Sequence, residues 1–120
     1  MKATCSIRVL GPPDAPALRQ MLGLFSDAFD DPASYLHHQP SDAYLTRLLA
    51  SDTFIAVAAF AADQMVGGLA GYVLPKFEQE RSEFYIYDLA AAEEFRRRGI
   101  ATALINTIRR IAEERGIHVI

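Results

Sequence analysis

Ser82 to Arg115, SEFYIYDLAAAEEFRRRGIATALINTIRRIAEER, contains a strand, a turn and a helix, and its reading decides the fold. Phe84-Tyr85-Ile86-Tyr87 is aromatic and β-branched, a composition suited to a pleated, half-buried strand, which ends by this reading at Ala90. Beyond a short Ala/Glu linker, Ala101, Leu104, Ile105, Ile108, Ile111 and Ala112 recur at helical spacing along one face. Gly116 is well placed to terminate that helix. Between the two lies Arg96-Arg97-Arg98-Gly99-Ile100-Ala101. Three cations at the positive end of a helix dipole run against the usual preference for acids there, and local rules tend to be broken at functional sites. A bound anion removes the conflict, because free backbone N–H groups, the dipole and the Arg side chains then all address negative charge. A phosphate or pyrophosphate is the natural candidate, and Gly99 and Ala101 let the backbone approach it closely. A solvated Arg cluster is the alternative; the preceding strand and following amphipathic helix favour the anion site.

Strand, Arg-x-x-Gly-x-Ala and helix together resemble the acyl-CoA-binding core of the GCN5-related N-acetyltransferases, with Arg96, Gly99 and Ala101 at the matching positions. The resemblance extends further. Leu74 to Ala90, Ala101 to Asn106 and Tyr35 to Phe60 are similar to type I aminoglycoside 3-N-acetyltransferases, the gentamicin acetyltransferases. The fold this implies is of the α/β (α+β) class: a mixed, mostly antiparallel sheet flanked by helices. Acetyl-CoA is the implied donor and a cationic aminoglycoside the implied acceptor.

Composition is consistent with that. A chain of 120 residues, 51% of them hydrophobic, reads as one globular domain spanning 1–120. Its net charge of −3 argues against nucleic acid, whose phosphates demand a basic face, and suits a cationic acceptor. The single cysteine, Cys5, precludes an intramolecular disulfide and reads as a small buried hydrophobe in a first strand. The N-terminus lacks the apolar stretch of a signal peptide and no segment has the length to span a bilayer, so a cytoplasmic location is expected.

Thr4 to Leu10 alternates as a strand, ended by Gly11-Pro12-Pro13. Asp14 is then a plausible N-cap for a helix whose core stripe includes Leu18, Met21, Leu22, Phe25 and Phe29. Asp30-Asp31-Pro32 breaks this helix and begins a loop to Pro40; His37 and His38 in it lack the further ligands a metal site needs. Ser41 can cap a second helix carrying Tyr44, Leu45, Leu48 and Leu49. Thr53–Phe60 and Met65–Leu74 read as an antiparallel hairpin, whose Gly67, Gly68 and Gly71 mark either a bulge, a close approach or tight packing on a helix. Ile117–Ile120 looks like the opening of another strand.

Acetyl transfer to an amine needs a held donor, a neutral amine, a stabilised oxyanion and a proton for the leaving thiolate. The pyrophosphate would lie on the backbone of Arg96, Arg97, Arg98, Gly99, Ile100 and Ala101, with Thr102 adding a side-chain contact. The pantetheine arm would follow Leu89, Ala90 and Ala91, where the resemblance implies a bulge that frees an N–H for the thioester carbonyl. Asp88 is the first candidate for the carboxylate that takes the ammonium's proton, since it follows an apolar run and adjoins the donor segment. Glu83 is the second, although alternation sets it on the opposite face unless a bulge intervenes. The resemblance places Asp30, Asp31 and Tyr35 beside the acceptor, and Glu78 and Glu80 could steer a polycation at the rim. Tyr85 and Tyr87 are expected to be taken up by the central strand. The tyrosine that serves as acid in the resembling family lies beyond a fifth strand, and the sequence reading is that this C-terminal part is missing. Two expectations follow for the exposed sheet edge: the chain is a fragment of a longer protein, or a second copy completes the sheet in a homodimer. Two alternatives stay open: a polyamine or other small-amine acetyltransferase, and an inactive CoA-binding module.

Overall fold

The computed structural model describes residues 5–118 and 120. In chain order it contains β1 (Cys5–Val9), a 3₁₀ turn (Pro12–Asp14), α1 (Ala15–Phe29), α2 (Pro32–Tyr35) and α3 (Asp42–Ala50). Then follow β2 (Phe54–Ala61), β3 (Gln64–Pro75), β4 (Ser82–Ala91), a second 3₁₀ turn (Glu93–Phe95) and α4 (Ile100–Arg115). The strands lie in the order β1-β2-β3-β4 with every pairing antiparallel. Short connections join β2 to β3 and β3 to β4, which only antiparallel neighbours allow.

The sequence of β2, FIAVAAFA, is apolar on both sides because both sides are covered. Ile55, Val57 and Ala59 pack with Leu104, Ile108 and Ala112 of α4, while Phe54, Ala56 and Ala58 pack with Met21 and Phe25 of α1 and Leu45 and Leu49 of α3. Two cores result, one on each face of the sheet. The small residues of β3 let the helices come close. A Cβ on Gly67 would lie 2.6 Å from Ile100 Cγ2, and one on Gly68 would lie 2.8 Å from Met21 Cγ. Both glycines therefore serve helix packing, on opposite faces. Gly71 has a different role, taken up with the site below.

Two local readings are corrected. Asp14 holds the N-cap position of α1 as expected, but not through its side chain; its carboxylate accepts from the Gly11 N–H at 2.8 Å and pairs with Arg8, closing the 3₁₀ turn. Pro12 and Pro13, with φ fixed near helical values, start the turn before the helical pattern begins. The segment after Asp31 is not all loop. It contains the one-turn α2, with Asp31 accepting from Ser34 N–H at 3.1 Å and Pro32 in its first turn, and a single turn is too short to show a 3.6-residue period. At the C-terminal end, Gly116 reverses the chain at φ 70° and ends α4 as expected. After it Ile117 is buried in the core shared by α4 and the sheet, and the His118 N–H donates to Ser82 O at 3.0 Å; the strand expected at Ile117–Ile120 includes Val119, which lies outside the described residues. Tyr85 and Tyr87 lie in β4 as expected, with side chains 57% and 64% exposed. Among the described residues, no helix is long and apolar enough to cross a membrane.

Candidate functional site

The site is created by an irregularity between β3 and β4. Ala70 pairs with Asp88 but Gly71 pairs with Ile86, so Tyr87 is an extra residue with no partner. Such a bulge resets strand alternation. Consequently Tyr87 and Asp88, neighbours in sequence, both line one cavity of about 310 Å³ between the sheet and α1–α3. Gly71 is the position that tolerates this. A Cβ there would lie 2.3 Å from Tyr85 O and 2.6 Å from Phe84 Cζ.

Tyr35, at the end of α2, reaches across this cavity and its hydroxyl donates to Asp88 Oδ1 at 2.9 Å. The Tyr35 ring is held by Phe25 and Phe29, at centroid distances of 5.9 and 6.0 Å. Burial pushes the Asp88 carboxyl above the usual carboxylate range, and the Tyr35 hydrogen bond partly opposes it. The Tyr35 phenol is pushed up to about 12, first by burial and then by Asp88, so it stays a neutral donor near pH 7. An aspartate with a raised pKa and one fixed hydrogen bond is suited to taking a proton from an ammonium.

A second cavity of about 480 Å³ adjoins the first along β4, between the end of that strand and the start of α4. Of the ten positions expected to hold the donor, Leu89, Ala90, Ala91, Arg96, Arg97, Gly99, Ile100, Ala101 and Thr102 line it. Arg98 does not; its guanidinium lies over the Phe95 ring, 5.1 Å from the centroid. Gly99 caps α4 at φ 79° without a side-chain hydrogen bond, and Arg97 also adopts a left-handed φ of 65°. The Ala103 N–H bonds back to Gly99 O at 3.0 Å, so the N–H groups of Ile100 to Thr102 belong to the uncapped first turn, where an anion is favoured. Arg96 is held by its Nε, which donates to Ala91 O at 3.3 Å.

The remaining candidates lie apart from these two cavities. Glu83 accepts from Arg81 at 2.9 Å and faces Lys76 at 3.9 Å; at five residues from Asp88 it is roughly 16 Å away along the strand. The bulge restores both to one face, but Glu83 is occupied by its own cations. Asp30 ends α1 in the left-handed conformation and Asp31 caps α2, so both have local structural roles. Glu78 and Glu80 are exposed in the β3–β4 connection and line neither cavity. Sequence reasoning missed Phe29 and Phe95 in the donor cavity and Tyr44, Tyr72 and Tyr87 in the other. Phe29 was hidden by its place in an apolar stripe, although it is 44% exposed.

The model of the Acetyltransferase (GNAT) family matches residues 18–120. None of the curated proteins matches the sequence. Among solved structures, the aminoglycoside acetyltransferase HMB0005, from an uncultured soil metagenomic sample, is 48% identical with a TM-score of 0.94, over 97% of this chain and 76% of its own. The aminoglycoside acetyltransferase meta-AAC0020, also from an uncultured soil metagenomic sample and solved in complex with sisomicin, is 30% identical with a TM-score of 0.87, over 96% of this chain and 74% of its own. The aminoglycoside N-acetyltransferase AAC(6')-Iy, solved with CoA, shares the fold at 17% identity and a TM-score of 0.76, over 99% of this chain and 76% of its own. GNAT acetyltransferases take their acetyl group from acetyl-CoA. With its antiparallel sheet, its uncapped α4 entrance and a family match over most of its length, the chain belongs to the GNAT acetyltransferase family.

Proposed function

We propose that the protein transfers the acetyl group of acetyl-CoA to the 3-amino group of an aminoglycoside. The observation that carries this reading is the succession along β4. Asp88 lines one cavity, and the next residues, Leu89 to Ala91, line the cavity that ends at the uncapped turn of α4. A carboxylate and a donor site adjacent on one strand are what amine acetylation requires.

The donor cavity fits the group chemically: small residues at Ala91, Gly99 and Ala101 leave room, and Arg96 and Arg97 supply positive charge beside the free N–H groups. Bound there, acetyl-CoA supplies an activated acyl group as a thioester. Asp88 binds the acceptor's ammonium and takes its proton, while Tyr35 holds the carboxylate in place. Backbone N–H groups between Leu89 and Ala91 that do not bond to β3 would stabilise the oxyanion. The 3-amino position, gentamicin-type acceptors and a homodimer rest on the sequence resemblance.

The test is release of free thiol from acetyl-CoA by the purified protein with sisomicin, gentamicin or spermidine, followed by NMR location of the acetyl group. Turnover with the two aminoglycosides and acetylation at the 3-amino group are expected. Preferred turnover of spermidine would identify a polyamine enzyme, and CoA binding without thiol release a binding module.

The pH profile tests the Asp88–Tyr35 pair. Activity requires ionised Asp88, so kcat/KM rises with pH through its pKa, and burial places that limb above the ordinary carboxylate range. Tyr35→Phe removes a donor that favours the ionised form, so the acid limb moves to higher pH. An unmoved limb would separate Tyr35 from the base.

A further inference from the structure

The cavity around Asp88 presents an imbalance of charge. An aminoglycoside carries several ammonium groups, yet Asp88 is the only carboxylate among the described residues lining this cavity. Exposed aromatic rings occupy the wall instead. Tyr44 is 50% exposed, Tyr72 37% and Tyr87 64%, and they come from three elements, α3, β3 and β4. The rings are not loosely placed. Tyr72 packs on Phe54 at 5.4 Å between centroids and meets Tyr87 edge-on at 5.9 Å and 88°, while Tyr85 packs on Tyr87 at 6.4 Å. The bulge places Tyr87 on this wall, beside Asp88 in sequence.

We infer that Tyr44, Tyr72 and Tyr87 form an aromatic subsite that binds an ammonium-bearing ring of the acceptor and so selects cyclic polyamines over linear ones. This rests on the proposed function and names how its acceptor is held. The face of a tyrosine ring attracts a cation without the desolvation cost of burying a second carboxylate. It also offers a flat apolar surface to the C–H face of a saturated ring, which a flexible linear polyamine covers poorly and only after losing rotational freedom. Exposed aromatic side chains clustered on one wall and fixed by packing mark a binding surface.

The subsite is tested by steady-state kinetics of Tyr72→Leu and Tyr87→Leu beside Tyr72→Phe and Tyr87→Phe, with sisomicin and with acetyl-CoA as the varied substrate. Each Leu variant is expected to raise the sisomicin KM about tenfold, with the acetyl-CoA KM unchanged, and each Phe variant, which keeps the ring, to stay within about threefold of the parent. Tyr44→Leu, on a different element, is expected to act in the same direction, which guards against a fold defect in the strand variants. Leu variants that leave the sisomicin KM unchanged overturn the subsite, as do Phe variants that lose as much as Leu. Either result leaves acetylation itself standing, whereas a parent protein inactive on every aminoglycoside overturns the proposed function.

Discussion

Asp88→Asn is expected to lower kcat with an aminoglycoside by about 10²–10⁴-fold, the usual contribution of a positioned general base, while acetyl-CoA binding is retained. The substitution keeps the size of the side chain and an oxygen that can still accept from the Tyr35 hydroxyl, so thermal unfolding should move little. What it removes is the negative charge that holds the ammonium and the site that receives its proton. The deficit should shrink as pH rises, because a growing share of the amine then arrives neutral and needs no base. Thiol release across pH, together with calorimetric titration of acetyl-CoA, measures both halves. Turnover within about threefold of the parent at neutral pH would remove Asp88 from the reaction.

Gly71→Ala is expected to destabilise the fold by about 1–3 kcal/mol, as overpacking does, and to reduce kcat/KM for the acceptor by more than it weakens acetyl-CoA binding. A Cβ at this position would lie 2.3 Å from a backbone oxygen, Tyr85 O, which cannot rotate away as a side chain can. Relief requires β3 and β4 to part at the bulge or to change register. Either movement displaces Tyr87 and Asp88, whereas the donor cavity begins farther along the strand, at Leu89. Denaturant unfolding and kinetics on the same sample check this. An Ala variant with parental stability and kinetics would show that the bulge does not depend on the missing side chain.

What the sequence made legible follows from how local each signal is. The donor cavity was readable because its determinants are contiguous: a strand end, a basic turn with glycine, and an amphipathic helix lie within one stretch. Arg98 was the exception, since its preference for the Phe95 ring is a matter of rotamer and not of spacing. The acceptor side was less legible because its parts come from distant segments. The Tyr35–Asp88 hydrogen bond joins residues that only the packing of α1 and α2 on the sheet brings together, through the Phe25, Phe29 and Tyr35 rings. The bulge at Tyr87 mattered most. Strict alternation would put Tyr87 and Asp88 on opposite faces, so no periodic pattern could show that they line one cavity. The glycines of β3 carried a signal whose meaning depended on the partner: a helix residue for Gly67 and Gly68, a backbone carbonyl for Gly71. Acidic residues outside the regular core were the weakest guide, because Asp30, Asp31 and Glu83 are taken up by helix ends and nearby cations.

The uncapped start of α4 is the feature on which the donor assignment depends, and calorimetric titration of the purified protein with coenzyme A tests it most directly. The expected result is uptake of one coenzyme A per chain, with affinity that falls as salt rises and with competition by inorganic pyrophosphate, because backbone N–H groups and Arg96 and Arg97 meet a diphosphate there. Absence of coenzyme A uptake by folded protein, or uptake unaffected by pyrophosphate and salt, would contradict the account.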